Sequence, residues 1–220
     1  MSSVKLVGVG RTRRCKNIYK YFHMQIHFQK QRNYIYTFNL NLLYTNNKIL
    51  SALQKETWLP DQAGYAQNDF ATRYRLTHPV DLGLIAIQDC IQHNDFKTQI
   101  ISTLYQEPLF PGYWGLSQER MMDRTFIYGI YTLDKPGYSI RIHTDDRLHV
   151  AQGMIYFVPT DDPDQSTTFY TTFEGDNPIR ISNGHGAGYV AANTNNSWHT
   201  GKNSSTEDRY SMIFGIRLDL

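Results

Sequence analysis

The chain has 220 residues, of which 40% are hydrophobic, 19% charged and 14% aromatic, with 16 tyrosines. That composition excludes a disordered or fibrous chain, suits one domain with a full core, and leans towards strands through its aromatic content. The net charge of +2 hides an asymmetry: residues 1–55 hold ten Lys or Arg and no acid, while the remainder carries twelve bases and twenty acids, which argues against nucleic-acid binding by the main domain.

The basic head reads as an extension over 1–32, ahead of a single domain over 33–220. It has no apolar signal region. It weakly resembles an organelle transit peptide, or an extension ahead of a start at Met24. Cys15 and Cys90 cannot build a disulfide framework, so a reducing, cytoplasmic setting is expected. No run of 18 apolar residues predicts a membrane span.

Residues 34–44 alternate around Phe38, Leu40 and Leu42 and predict a strand. Asn46 or Asn47 caps a short helix carrying Ile49, Leu50 and Leu53, which is over by Pro60. Leu84, Ile87 and Ile91 predict a helix within 80–93. Phe96, Ile100, Ile101 and Leu104 predict another, capped by Asn94 or Asp95. Pro108 and Pro111 then break the chain. From about residue 122 short strand-like runs follow: 124–133, 138–144, 153–158, 167–173, 187–192 and 209–218. Helices first and strands later give an α+β, mainly β class, with a sandwich, jelly roll or barrel as its core, over about 122–218.

Chemistry concentrates in that core. On a strand, His143 and Asp145 share a face, and Asp146 looks away. His199 offers a third ligand. Two imidazoles and one carboxylate form a facial metal triad with open positions. Ten residues on, Arg209 and Ser211 share a strand face opposite Tyr210, Met212, Phe214, Ile216 and Leu218. A guanidinium and a hydroxyl facing a cavity suit a carboxylate ligand. His149 and His185 read as surface histidines, Arg141 as an ion-pair partner and Trp198 as packing. The run 161–164 reads as a solvated turn, and Gly184, Gly186 and Gly188 as a loop.

The ordered set His143-x-Asp145, His199, Arg209-x-Ser211 resembles the Fe(II)/2-oxoglutarate-dependent dioxygenases. The segments Lys-Pro-Gly-Tyr-Ser-Ile-Arg-Ile-His-Thr-Asp, Ile-Tyr-Phe-Val-Pro, Thr-Thr-Phe-Tyr and Trp-His-Thr-Gly are similar to the prolyl-4-hydroxylase-like branch. The resemblance implies a double-stranded β-helix (jelly roll) buttressed by N-terminal helices. It implies Fe(II) on His143, Asp145 and His199, and the distal carboxylate of 2-oxoglutarate on Arg209 and Ser211. Tyr131, Tyr138 and Tyr156 all qualify for a further co-substrate contact. Phe157 stands where some relatives place a tyrosine.

The reaction implied is hydroxylation by O2, coupled to decarboxylation of 2-oxoglutarate to succinate and CO2, with ascorbate to keep the iron reduced. The substrate implied is a small molecule or peptide, with a prolyl or other amino-acid side chain as target. Loops around 61–75, 108–120 and 174–188 are expected to contact it. Two other readings remain open from sequence: a non-enzymatic jelly-roll binding or structural module, and a cupin-like metal enzyme that does not use 2-oxoglutarate.

Overall fold

A computed structural model describes residues 26–40, 46–61, 73–159, 161–194 and 197–219. The helical part comprises α1 (Asn46–Leu53), α2 (Leu82–Ile91), α3 (Asn94–Leu104), α4 (Phe110–Trp114) and α5 (Gln118–Asp123). The Asp81 side chain accepts hydrogen bonds from the N–H groups of Gly83 and Leu84 and so starts α2. The cap of α3 falls one residue earlier than expected, at His93, whose side chain accepts from the Asp95 N–H. The stretch broken by Pro108 and Pro111 still forms a short helix, because Pro111 sits in its first turn, where a missing N–H is harmless.

Eight strands build a large sheet in the order β1 (Gln29–Arg32), β2 (Ile35–Asn39), β10 (Ala187–Ala192), β7 (His149–Tyr156), β12 (Arg209–Leu218), β5 (Thr125–Asp134), β4 (Arg73–Leu76) and β3 (Leu59–Pro60). A smaller sheet runs β6 (Tyr138–Ser139), β11 (Trp198–Asn203), β8 (Thr167–Tyr170), β9 (Ile179–Ile181). Every pairing is antiparallel. The expected runs 187–192 and 209–218 are strands as read, and 124–133 is β5 within one residue. The expected extension over 1–32 is shorter than that: β1 pairs with β2 and Ile26 is buried, so residues 26–32 belong to the domain. Residues 1–25 lie outside the described part of the chain, and so does Met24.

Strand alternation sorts the side chains into two layers. On β12, Tyr210, Met212, Phe214 and Ile216 face the helices and join Leu84, Ile91, Ile100 and Leu104 in the main core. Phe214 meets Phe96 edge-on at 5.2 Å. It packs over Gly153, where a Cβ would lie 2.2 Å from the ring and 2.1 Å from the Tyr189 carbonyl oxygen. The buried Lys97 ammonium donates to the carbonyls of Met122 and Thr125 and so ties α3 to the start of β5. The opposite face of the large sheet looks at the small sheet. There Met154, Tyr156, Phe169, Ile181 and Tyr189 form a second apolar cluster.

One expected strand is different. Residues 138–144 do not form a continuous strand: β6 ends at Ser139. Ser139 pairs with Lys202, but the next bridge joins His143 to His199, so the register slips by one residue between them. The extra residue makes a bulge that re-aims the chain entering the candidate site.

Candidate metal and co-substrate site

Between the two sheets lies a cavity of about 510 Å³. His143, Asp145 and His199 stand together on its wall, with one possible ligand atom from each within 4.8 Å of the others. The bridge places the two histidines: His143 N–H donates to the His199 carbonyl at 3.0 Å, and His199 N–H to the His143 carbonyl at 2.8 Å. Asp145 follows on backbone outside the sheets, its Oδ1 3.9 Å from His143 Nε2. The i, i+2 spacing brings imidazole and carboxylate together, although a bulge and a loop do the work assigned above to a strand.

Each imidazole is oriented by its own chain. Nδ1 of His143 pairs with the Arg141 carbonyl at 2.8 Å, and Nδ1 of His199 with the Ser197 carbonyl at 3.0 Å. A carbonyl can only accept, so both Nδ1 atoms carry the proton and both Nε2 atoms present a lone pair to the cavity. Carbonyl-anchored rings of this kind are the usual arrangement around a bound metal. Gln152, from the large sheet, sets its amide nitrogen 2.9 Å from His199 Nε2.

The electrostatics favour a cation here. Burial, and for His143 the neighbouring His199, lowers both histidine pKa values and keeps the rings neutral. Burial pushes the Asp145 carboxyl up to about 6, against the pull of His143 and His149. A cavity that penalises a bare carboxylate in this way relaxes when a metal ion supplies the missing positive charge. Two nitrogens and one oxygen suit Fe(II) and leave coordination positions for other ligands.

Arg209 lines the same cavity and is fully buried. It is not a free fork. Its Nε and Nη2 donate to Asp134 Oδ2, and its Nη1 donates to the Lys202 carbonyl at 2.9 Å. Its Nη2 also lies 3.6 Å from the point where a Cβ on Gly201 would stand. Gly201 is two residues beyond His199 on β11, roughly 7 Å along the strand and on the same face. The cavity therefore has imidazoles at one end and a guanidinium a short step deeper.

The other expected co-substrate residues divide. Ser211 shares the inner face with Arg209, but its hydroxyl bonds Thr132 Oγ1 at 2.8 Å and does not line the cavity. Tyr156 is also on the inner face, behind the lining, with its hydroxyl donating to Thr167 Oγ1 at 2.7 Å. Tyr138 lines the cavity. Tyr131 is a correction: it points to the helical side of β5 and donates to the Leu84 carbonyl, because odd-numbered positions there face the helices.

Asp146, expected to look away, also lines the cavity; it stands outside the His143, Asp145 and His199 group and its Oδ2 is 3.5 Å from Arg217. His149 is half-buried at the cavity wall and bonds the Tyr128 hydroxyl, so it is not a surface histidine. His185 is likewise half-buried, its ring 6.5 Å from Phe157. Arg141 is exposed and forms no ion pair among the described residues, against the expectation. Trp198 packs edge-on against Phe173 at 5.5 Å.

Sequence reasoning missed Arg73, Asp134, Gln152, Thr167, Tyr189 and Gly201, all at or beside the cavity. A signal existed for the first two. Arg73 and Arg75 alternate along β4, and Asp134 shares parity with Tyr128, Ile130 and Thr132 on β5.

Solved structures share this arrangement of sheets. A prolyl-4-hydroxylase from Pseudomonas putida superposes with a TM-score of 0.55 at 12% identity, over 84% of this chain and 93% of that one. A Trichoplax adhaerens prolyl hydroxylase, solved with a hypoxia inducible factor peptide fragment, gives 0.54 at 11% identity, over 84% of each chain. The chain has the fold of the 2-oxoglutarate/Fe(II) oxygenases. A non-haem α-ketoglutarate-dependent epimerase of nogalamycin biosynthesis also has it, with a TM-score of 0.51 at 12% identity, over 86% of this chain and 80% of that one. No protein-family model matches the sequence, and no curated protein matches it significantly. The oxygenase jelly roll is thus visible in three dimensions and not in overall sequence similarity.

Proposed function

We propose that the protein is a non-haem dioxygenase that uses Fe(II), 2-oxoglutarate and O2 to hydroxylate an organic substrate. The observation that carries this reading is the convergence of His143, Asp145 and His199 in a cavity whose deeper end holds Arg209. Convergence on this fold goes beyond fold resemblance, because the site and not the fold specifies chemistry.

His143 Nε2, Asp145 and His199 Nε2 would hold the iron, and Arg209 would face the co-substrate's distal acid. Bound there, Fe(II) with 2-oxoglutarate supplies O2 activation coupled to decarboxylation, releasing succinate and CO2. The chain's own residues hold and shield. The Arg141 and Ser197 carbonyls keep both rings in the Nδ1–H tautomer. The apolar walls from Ile140, Met154 and Ile213 exclude water from the reacting centre.

Substrate enters where the cavity reaches solvent. Phe126 is half exposed there, beside Tyr128, His149 and Arg217. An aromatic rim with a cation suits a peptide or an amino-acid-sized molecule, and an amino-acid side chain such as proline is the proposed target. No described helix is long and apolar enough to cross a membrane. A cytoplasmic setting with ascorbate as reductant completes the proposal.

Anaerobic addition of Fe(II) and 2-oxoglutarate tests the reading. The expected result is a weak visible charge-transfer band, absent in Asp145→Ala, and succinate release in air with a hydroxylatable peptide or amino acid. A wild-type protein that gives no band and no succinate overturns it.

A further inference from the structure

Three strands of the large sheet set three charged residues in a row. Arg73 of β4 lies directly across from Asp134 of β5, and Arg209 of β12 lies across from the same Asp134 on its other side. Arg73 Nε donates to Asp134 Oδ1 at 2.5 Å and its Nη2 to Oδ2 at 2.9 Å. Arg209 uses Nε and Nη2 on that same Oδ2. One fully buried carboxylate thus serves two guanidiniums.

Among the described residues, the other acids nearest the row already face cations of their own. Arg75 is matched by Asp61 at 2.8 Å, and Lys135 by Asp208 at 2.7 Å. The phenols nearby stay neutral: burial pushes Tyr138 up to about 12 and raises Tyr156 and Tyr189. Counted within the row, two guanidiniums face one carboxylate, an excess of one positive charge at the buried end of the cavity. An unbalanced buried charge is unfavourable unless an anion meets it.

The two guanidiniums are not equally available. Arg209 spends Nη1 on backbone carbonyls of Lys202, Gln165 and Ser166, and Nε and Nη2 on Asp134. Arg73 stands over the Tyr138 ring, its Cζ 4.1 Å from the centroid, and lines the cavity. Its Nη1 makes no hydrogen bond among the described residues. Asp134 thus acts as a spacer between the two cations and leaves Nη1 of Arg73 uncommitted among the described residues.

We propose that Arg73 is the second guanidinium of a dicarboxylate-selective pocket, receiving with Arg209 the distal acid of a five-carbon 2-oxo diacid. This rests on the co-substrate reading above and extends it to a residue outside the core strands. The pocket would reject a 2-oxo acid with an uncharged tail, because such a ligand leaves the excess charge unmatched.

Calorimetric titration of the Mn(II)-loaded full chain, without turnover, tests this with two probes. 2-Oxoglutarate carries the distal acid, and 2-oxopentanoate has the same carbon chain without it. Wild type should prefer 2-oxoglutarate by about 100-fold or more. Arg73→Gln should lose about 30-fold or more for 2-oxoglutarate and nothing for 2-oxopentanoate. Arg73→Lys, which keeps the charge but not the fork, should fall between the two.

If wild type and Arg73→Gln bind 2-oxoglutarate equally, the role of Arg73 is overturned and the co-substrate reading stands. If wild type fails to discriminate between the probes, the charge-selection argument falls. If wild type binds neither probe, the co-substrate reading falls with it. Should Arg73→Gln not fold by circular dichroism, Arg73→Lys decides, since an undiminished 2-oxoglutarate affinity there overturns the proposal.

Discussion

The rings of His143 and His199 stand 4.3 Å apart because their backbones exchange two hydrogen bonds across a single bridge. The imidazole pair is therefore built by the fold, whereas Asp145 sits on backbone without sheet partners. Asp145→Ala should leave circular dichroism and melting temperature nearly unchanged and weaken Mn(II) binding by more than about 100-fold, since even partners one step removed from a metal account for 10–100-fold. His199→Ala should weaken the metal as much and also lower stability, because its buried ring packs on Phe169 at 5.3 Å. Metal retained at full stoichiometry by both variants would contradict the triad.

Gln152 makes a less obvious prediction. Its amide nitrogen donates to His199 Nε2, the lone pair a metal needs. Metal binding must break that bond, whose net worth is about 0.5–1.5 kcal/mol. Gln152→Met, similar in length and without a donor, should bind Mn(II) about 2- to 10-fold more tightly. A weaker site in this variant would show that Gln152 supports the metal.

Gly201 separates space from folding. A Cβ there would meet Arg209 Nη2 at 3.6 Å, Ile140 Cγ2 at 3.8 Å and Thr167 Oγ1 at 4.0 Å, all ordinary contacts. Gly201→Ala should fold and bind 2-oxoglutarate within about threefold of wild type, a difference of less than one CH2 group's worth. Gly201→Leu should fold, keep Mn(II), and lose 2-oxoglutarate, because its side chain fills the passage between His199 and Arg209. Titration of each ligand in both variants measures this. Gly153→Ala is the contrasting case. Its Cβ would collide with the Phe214 ring and the Tyr189 backbone, and equilibrium denaturation should show a loss of about 1–3 kcal/mol or more.

Acid should act through Asp134. Burial alone pushes its carboxyl up, but the Arg73 and Arg209 guanidiniums outweigh that and hold it below the usual carboxylate range. A folded value below the unfolded value of about 3.9 means the contribution is complete above that pH and is lost as pH falls through the folded value. Denaturation curves should show this contribution constant from pH 7 to about 4 and falling as pH drops further, with a shallower fall in Asp134→Asn. That variant should also be less stable at pH 7 by about 3–5 kcal/mol, since it leaves two guanidiniums unmatched. An Asp134→Asn protein as stable as wild type would exclude the ionic row as a structural element.

The legible parts of the sequence were those where one periodicity dominates. β12 reads directly, because Tyr210, Met212, Phe214 and Ile216 alternate with Arg209, Ser211 and Ile213 over ten residues. The triad was legible through spacing, although the bulge before His143 replaced the strand that spacing suggested. β11 was not legible as a strand: Trp198–Asn203 is short and polar, and its pairing with β8 and β6 supplies what local pattern does not. The Asp134 row was legible only as parity on single strands, since the register that joins residues 61 and 75 positions apart is not written in local pattern. Tyr131 shows the converse hazard, in which a plausible residue type lies one register step from the required face.

The two histidines belong with the small sheet, whereas Gln152, Arg73 and Arg209 belong to the large one. Any molecule that spans from Nε2 of the imidazoles to the guanidiniums is therefore a cross-brace between two layers joined otherwise by apolar packing and a few hydrogen bonds. Loading at a hundred times the dissociation constant adds about 2.7 kcal/mol to the folded state. The brace should hold the layers as one body, so that slow amide exchange in β8 and β11 reports occupancy even where no product is formed.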